Sequence, residues 1–221
     1  MISARYPRLR LTESGVVEGI LDLRANFAGE ERNDSFAVHI APSDEPLGMP
    51  TLTEVGGRTA EIAAKHGVKN LADLHRNPGG SACLCVKQDE RNRFPKGSTL
   101  AHFIEGLAVP YLFGLSHFDD TGKWPWPEYS HGALGIAEYC GEARDTPSPE
   151  SIAGTLDLLK KDAAWREFGR QIRKPSAMRS CVCGSRKPIS RCHKGVWKGV
   201  QKLNHDILGL GLGLRRTLQK H

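Results

Sequence analysis

Apolar segments of strand length, separated by turn residues, make up the first quarter of the chain. Residues 15–24 are apolar and β-branched with partial alternation, residues 35–40 alternate more cleanly, and residues 50–55 form a third short segment. A proline or a pair of glycines follows the second and third segments, and such residues mark turns. Three strands joined in this way predict an antiparallel meander.

Helical periodicity follows these segments. Residues 59–66 and residues 71–75 predict two short helices. A longer helix is predicted over residues 99–113, with Ser98 as its N-cap, and Pro110 is expected to kink or end it.

The second half of the chain predicts further helices around an aromatic loop. Residues 116–132, rich in Trp, Pro and Gly, predict a loop with large aromatic anchors, and a helix is predicted over residues 134–139. With Ser148 as N-cap and Pro149 in the first position, another helix is predicted as far as residue 172. The last apolar stretch, residues 196–216, is expected to be only weakly helical because of its glycines.

Charge is distributed unevenly along the chain. Residues 151–221 contain 16 Lys and Arg against 4 Asp and Glu, a net charge of +12, whereas residues 1–150 carry a net charge of −6. Such a basic segment suits nucleic acid, an acidic protein or the acidic part of the same chain, and a plain solvated surface accounts for it equally well.

The chain carries no recognisable export or membrane signal. No apolar run is long enough to span a bilayer, and the first residues lack the apolar core of a secretory signal. We therefore expect a cytoplasmic protein with reduced thiols and no membrane partner. Its six cysteines are interpreted as metal ligands, nucleophiles or buried thiols.

Four residues near the C-terminus have the composition of a zinc site. Cys181, Cys183, Cys192 and His193 lie in the string CVCGSRKPISRCH, and three thiolates with one imidazole suit tetrahedral Zn²⁺. Gly184 allows the backbone to wrap around the metal. With all four positions supplied by protein, the zinc is predicted to be structural.

This string resembles the zinc module at the C-terminal end of the SecA translocase ATPase. All four ligand positions and the Cys-Gly-Ser turn are present. The resemblance implies a module that docks onto protein partners.

A second motif surrounds Cys83. The segment HRNPGGSACL resembles the active-site segment of ubiquitin-conjugating enzymes, in which the cysteine carries the modifier as a thioester. In that family a His-Pro-Asn turn precedes the cysteine, whereas Arg76 stands here in place of the proline and the stretch from Asn77 to Cys83 is shorter. The order of the predicted elements over residues 10–140 also resembles that family.

The segment GKWPWPEYSHGALGIAEY resembles one particular group of these proteins, the stand-alone bacterial homologues encoded in cyclic-oligonucleotide (CBASS) antiphage operons. That resemblance implies a partner, a cGAS-like nucleotidyltransferase whose C-terminus is the modifier. The protein would then regulate antiphage signalling.

The two resemblances imply an α+β fold in two parts. A ubiquitin-conjugating-enzyme-like domain, an antiparallel meander sheet with flanking helices, is expected over residues 1–142. A linker is expected over residues 143–151. A basic helix, the zinc module and a tail are expected over residues 152–221.

The roles of the loop residues follow from the resemblance and from their chemistry. Cys83 is the predicted nucleophile and acts as a thiolate. Asn77 either donates to the oxyanion or shapes the loop, and His75 is expected to hold the turn. No general base is evident, and His131 and Glu128 are candidates only by position, with loop scaffolding as the simpler role for each.

Two further cysteines have more than one interpretation. Cys85 lies two residues after Cys83, so in an extended segment both side chains share a face. It is a second acceptor, a redox partner or, as we favour, a packed small side chain. Cys140 is interpreted as a buried thiol.

The chain contains no Walker A motif and therefore no evident means of adenylating a carboxylate. A thioester on Cys83 must come from a separate activating enzyme or from direct attack of Cys83 on a peptide bond near the partner's C-terminus.

Two alternatives to catalysis remain open. One is an inactive docking module of the same fold. The other, and the least favoured, is nucleic-acid binding through the basic tail, with Trp165 and Trp197 stacking on bases.

Overall fold

The computed structural model describes residues 2–45, 47–144, 146–213 and 217–218. The chain is of the α+β class and forms two compact units. The first unit comprises Met1–Cys85 and Asp89–Pro127, and the second comprises Val86–Gln88 and Glu128–His221.

Among the described residues of the first unit, four strands form one antiparallel sheet whose order follows the chain. The strands are β1 Leu9–Leu11, β2 Val17–Phe27, β3 Glu30–Ala41 and β4 Thr51–Glu54. In the register of the sheet, Leu21 lies opposite Phe36, and Ile40 lies opposite Leu52. The predicted antiparallel meander is therefore confirmed, with its second, third and fourth strands at the predicted segments.

The sheet is larger than the apolar pattern predicts. Strand β1 was not predicted, since it has three residues of which only Leu9 is buried. Strands β2 and β3 continue to a tight turn at Ala28 and Gly29, which both have positive φ. Residues 30–34 of β3 are charged or polar, and they pair through the backbone, whose hydrogen bonds do not depend on side-chain polarity.

A long helical segment packs on the buried face of the sheet. It consists of α4 Leu100–Phe103, one π-helical turn Ile104–Ala108, and α5 Val109–Thr121. Its buried side chains meet those of the inner strand positions in one core, for example Phe103, Leu112 and Leu115 against Leu21 and Phe36.

Two details of this helical segment differ from the prediction. Thr99, rather than Ser98, is the N-cap, since the Thr99 hydroxyl accepts a hydrogen bond from the His102 amide at 3.2 Å. Of the two effects predicted for Pro110, ending the helix is contradicted, because the chain stays helical as far as Thr121. A proline ring normally clashes with the carbonyl one turn earlier, and the wide π turn directly before it relieves that clash.

The remaining short elements of the first unit surround this core. They are α1 Ile2–Arg5, α2 Arg58–His66, the 3-10 turn Leu71–Leu74 and α3 Glu90–Arg93. The buried carboxylate of Glu54, at the end of β4, caps α2 by accepting from the Thr59 amide and hydroxyl, each at 3.0 Å.

The second unit is helical. Its helices are α6 Ala133–Glu142, α7 Pro149–Lys160, α8 Trp165–Arg173, α9 Ile189–Cys192 and α10 Lys194–Gly209, and the 3-10 turn Lys87–Asp89 lies across the boundary of the two units in the sequence. Ser148 is the N-cap of α7, as predicted, and accepts from the Ser151 amide at 3.2 Å. The single helix predicted up to residue 172 is two helices, separated by a turn over residues 161–164 in which Asp162 accepts from the Ala164 amide at 2.7 Å.

Helix α10 contradicts the prediction of weak helicity. Its glycines allow a close approach to α6, since a Cβ on Gly199 would overlap the Ala137 carbonyl and one on Gly195 would meet the Glu138 side chain. The packing of the two helices outweighs the low helix propensity of glycine.

This packing also changes the division of the chain. Helix α6 shares a core with α10, so residues 128–142 belong to the second unit and not to the first. Residues 149–151 of the predicted linker are the first turn of α7. None of the described helices has the length and apolar character that crossing a bilayer requires.

Candidate functional site

The four predicted metal ligands lie together in the second unit. One ligand atom from each of Cys181, Cys183, Cys192 and His193 falls within 4.8 Å of all the others. No disulfide joins any of the six cysteines, all of which lie in the described part of the chain. This cluster could therefore hold a metal ion.

The distances between these atoms fit a tetrahedral ion. Cys183 Sγ lies 3.6 Å from Cys192 Sγ, and Cys181 Sγ lies 3.3 Å from His193 Nδ1. With the bond lengths usual for zinc, two sulfur ligands stand about 3.8 Å apart and a sulfur–nitrogen pair about 3.6 Å apart. Three soft thiol donors and one imidazole are also the donor set that zinc prefers.

A tight hairpin presents the first two cysteines. Ser180 and Pro188 form an isolated antiparallel bridge, and the Cys181 amide donates to the Lys187 carbonyl at 2.8 Å. Gly184 and Arg186 turn the chain with φ of 82° and 60°. Glycine takes this conformation readily, so the Cys-Gly-Ser string produces the turn locally.

The other two ligands lie where two helices meet. Cys192 ends α9, and His193 has a non-helical backbone, with φ of −131° and ψ of 83°, before α10 begins at Lys194. The chain therefore turns between α9 and α10, and this turn brings two adjacent residues to the same centre. The Ser185 hydroxyl also lies 3.0 Å from Cys192 Sγ, so it can hydrogen-bond that sulfur.

The protonation of the cluster differs between its thiols. Burial raises the pKa of Cys181 to about 12. Burial is also the largest single effect on the exposed Cys183, but hydrogen bonds from Ser185 and from the other two cysteines together outweigh it and lower the pKa of Cys183 to about 6. A bound divalent ion would replace the protons of all three thiols. Four exposed cations surround this segment, namely Arg186, Lys187, Arg191 and Lys194.

Cys83 lies in the first unit, on the returning side of a short loop. The Cys83 amide donates to the His75 carbonyl at 2.7 Å, and Arg76 is bridged to Ala82. The Ala82 amide donates to Leu52 of β4 at 2.7 Å, which ties the loop to the sheet. His75, Asn77 and Cys83 are thus brought into one loop.

Both thiols of this segment are half-buried. Burial raises the pKa of Cys83 above its usual value. Burial, and then the nearby carboxylates of Glu90 and Asp89, raise the pKa of Cys85 to about 12. The Cys83 thiol contacts the Cys85 carbonyl at 3.9 Å.

The side chain of Asn77 is used within the loop. Its amide nitrogen donates to the Ser81 hydroxyl at 3.1 Å and to the Ala82 carbonyl at 3.3 Å. Since the amide has two hydrogens, these two contacts employ both of them. Of the two predicted roles for Asn77, this geometry favours shaping the loop over donating to an oxyanion.

The two predicted histidines occupy different units. His75 has a left-handed backbone with φ of 50°, and its ring meets Trp124 edge-on at 4.6 Å. This agrees with the turn-holding role predicted for it. His131 is exposed in the second unit, in the bend before α6, and is not a residue of the Cys83 loop.

Two residues that the sequence did not single out contact this loop. The Tyr111 hydroxyl donates to the Leu74 carbonyl at 3.3 Å, and Trp124 Nε1 donates to the Asp73 carbonyl at 3.0 Å. Only the density of aromatic residues in 116–132 hinted at such a role, and Tyr111 had no signal at all.

Trp165, Trp197 and Cys140 lie in the helical core or pack against it. Trp165 is only 5% exposed and packs in the helical core, so base stacking by this residue is excluded. Trp197 is partly buried against the same core. Burial raises the pKa of Cys140 to about 11, as expected of an enclosed thiol.

No protein-family model, curated protein or solved structure matches this chain.

Proposed function

We propose that the protein is a ubiquitin-conjugating-like cysteine acyltransferase with Cys83 as its nucleophile. The observation that supports this most is the Cys83 loop, which follows a four-stranded antiparallel meander and is tied to the last strand of that sheet. A helix then packs on the sheet, in the order that the sequence resemblance implies. The fold is accordingly proposed to be UBC-like.

In the first step, Cys83 Sγ attacks the carbonyl carbon of the modifier's C-terminal residue. The new S–C bond forms as the bond from that carbon to its leaving group breaks. The leaving group is the thiolate of a separate activating enzyme, or the amine of the next residue when a peptide bond is attacked. The thiol proton of Cys83 leaves with that group.

In the second step, an amine attacks the thioester carbonyl, an amide bond forms and the Cys83 thiolate departs, taking up a proton lost by the amine. A thiol with a raised pKa is a slower leaving group. The half-buried thioester would therefore resist hydrolysis by water and react when an amine is positioned against it. This chemistry needs a reduced thiol and a reducing compartment such as the bacterial cytoplasm.

The proposed modifier is the C-terminus of a cGAS-like cyclic-oligonucleotide synthase, and the proposed outcome is regulation of antiphage signalling. The sequence resemblance to stand-alone bacterial conjugating-enzyme homologues carries this part of the proposal. A protein of the synthase's class is the natural probe in the test below.

For the second unit we propose a structural Zn²⁺ held by Cys181, Cys183, Cys192 and His193. The ion would join the hairpin of residues 180–188 to the start of α10 and so rigidify a surface rich in cations. We propose that this surface docks a protein partner and takes no part in the chemistry.

A non-catalytic docking function is the second candidate. The raised pKa values of both Cys83 and Cys85 favour it, since neither thiol is poised as a thiolate at neutral pH. This candidate predicts a stable complex with the partner that is unaffected by Cys83→Ala.

The two candidates are separated by incubating the full chain with a cGAS-like synthase, with and without an activating enzyme, and running nonreducing gels. Acyl transfer predicts an adduct that dithiothreitol removes, that Cys83→Ala abolishes, and that Cys140→Ala leaves intact. Cys83→Ser should convert the adduct to an ester that resists dithiothreitol. A complex without any Cys83-dependent adduct would establish the docking function instead.

A further inference from the structure

The direction of the Cys83 thiol depends on the backbone of His75, because the Cys83 amide is hydrogen-bonded to it. That amide donates to the His75 carbonyl at 2.7 Å. A shift of residues 73–75 would therefore shift Cys83.

Two side chains, one from α5 and one from the segment just after it, hold residues 73–75 in turn. Tyr111 of α5 donates its hydroxyl to Leu74 O at 3.3 Å, and Trp124, just beyond α5, donates Nε1 to Asp73 O at 3.0 Å. Tyr111 is 7% exposed, and burial raises the pKa of its hydroxyl, which stays protonated and able to donate. Two consecutive carbonyls are thus anchored by donors from one helical region.

The backbone at His75 needs such support. Its φ of 50° is left-handed, a backbone conformation that residues other than glycine adopt only where the surrounding structure holds them. The Trp124 ring meets the His75 ring edge-on at 4.6 Å with an interplanar angle of 79°. The same indole that binds Asp73 O therefore also packs on the strained residue.

Trp124 packs against α5 at a position where only glycine leaves room for its ring. A Cβ on Gly114 would overlap the six-membered ring of Trp124, so only glycine allows the indole to lie against the helix at this point. Gly114 is inside α5, where glycine lowers helix stability relative to alanine. The close approach of Trp124 gives a physical reason for a glycine at that position.

From these contacts we propose that Trp124 and Tyr111 are positioning residues for Cys83, fixing residues 73–75 and through His75 the direction of the thiol. The contacts of Trp124 and Tyr111 with residues 73–75 form a clamp. Its purpose rests on the proposed acyl transfer, whereas its effect on the Cys83 thiol does not. Residues of α5 and of the segment just after it thereby control the reactivity of Cys83, on a loop at the edge of the sheet.

The test measures Cys83 alkylation by iodoacetamide at pH 8 in the full chain carrying Cys85→Ala, read by mass spectrometry of the tryptic peptide covering residues 77–87. Trp124→Phe keeps a ring and removes the donor. We expect alkylation to become faster by about fivefold, the population change that a lost hydrogen bond of ordinary strength produces. Transfer to the synthase should become slower by a similar factor.

Trp126→Phe is the matched control, since Trp126 packs on Phe27 and Phe113 near the β2–β3 turn. It should change neither rate. Gly114→Ala displaces the indole and should therefore change both rates as Trp124→Phe does. Tyr111→Phe should change them in the same direction by a smaller factor. If Trp124→Phe does not fold, Tyr111→Phe provides the test. Thermal unfolding identifies the folded variants.

The outcomes separate the two proposals. If folded Trp124→Phe and Tyr111→Phe alkylate at the rate of Trp126→Phe, the clamp is refuted, whether or not acyl transfer occurs. If alkylation changes as expected but the wild-type chain never forms a Cys83 adduct, the clamp stands and the acyltransferase proposal fails.

Discussion

At the scale of single residues, the environment of Cys83 differs from that of the reactive cysteines found next to cations or helix N-termini. Those surroundings lower a thiol pKa, whereas burial alone raises the pKa of Cys83. The thiol is therefore mostly protonated at neutral pH and depends on its partner or on the amine acceptor to promote proton loss.

This predicts the pH dependence of Cys83 alkylation. Because the thiolate is the reactive form and the folded-state pKa is raised, the rate should still be rising at a pH where a free cysteine has levelled off. Iodoacetamide labelling of Cys85→Ala across pH 7 to about 10 measures it, with the chain unfolded in guanidinium as the control. Coincident profiles for the folded and unfolded chains would contradict the assignment.

Cys85 is predicted to be dispensable. With a pKa of about 12 it remains a thiol in any physiological buffer, flanked by the carboxylates of Glu90 and Asp89. Cys85→Ala should therefore form the partner adduct at a rate within about twofold of wild type, as expected of a packed thiol that never ionises. A loss of the adduct equal to that in Cys83→Ala, measured on the same nonreducing gels, would instead establish a second acceptor.

At the scale of secondary-structure elements, the helical unit depends on the contact between α6 and α10. Glycine weakens an isolated helix, yet here Gly199 lies directly against the Ala137 carbonyl, and Gly141 of α6 faces the backbone of α10. The helices pack backbone against backbone, which a side chain at these positions would prevent.

Two alanine substitutions should therefore have opposite signs. Gly199→Ala should lower the free energy of unfolding by about 1–3 kcal/mol through overpacking. Gly154→Ala, on α7 with open space around it, should raise that free energy by about 0.5–1 kcal/mol, the ordinary gain in helix propensity. Urea unfolding followed by tryptophan fluorescence measures both. An increase in both variants would show that propensity alone governs these helices.

At the scale of the whole molecule, the two units differ in what stabilises them. The first contains a sheet and a helix with a shared core. The second has its own helical core, which includes Cys181 and Ile189 of the metal-ligand segment. Metal binding should therefore be coupled to the stability of the second unit.

Metal content and hydrogen exchange test this coupling. The purified chain should contain about one zinc ion, and Cys183→Ser should lower zinc affinity by roughly a hundredfold or more, since even outer-shell changes cost about 10- to 100-fold. Cys140→Ala, in the same unit but outside the cluster, is the matched control. On chelation, the amides of Cys181, Gly184 and His193 should lose protection while those of β2 and β3 keep it. Unchanged zinc content in Cys183→Ser would refute the site.

Local features were predictable wherever a few neighbouring residues decide them. Ser148 caps α7 as predicted because an N-cap is a contact within one turn. The four candidate ligands were predictable for the same reason, since they lie within 13 residues and a Gly-containing turn brings them together. Contacts between distant residues had no such signal, as Tyr111 shows, whose partner Leu74 lies 37 positions away.

The sequence by itself therefore determined the ligand cluster, the N-cap of α7, the apolar strand segments and the charge asymmetry, since each depends on neighbouring residues or on composition. Tertiary structure decided the rest. It made a helix of the glycine-rich α10, assigned α6 to the second unit and placed Trp124 on the loop of Cys83. In α10, free energy from packing against α6 outweighed the low helix propensity of glycine, and in all three cases the contacting residues are distant in sequence and cannot be identified from local spacing.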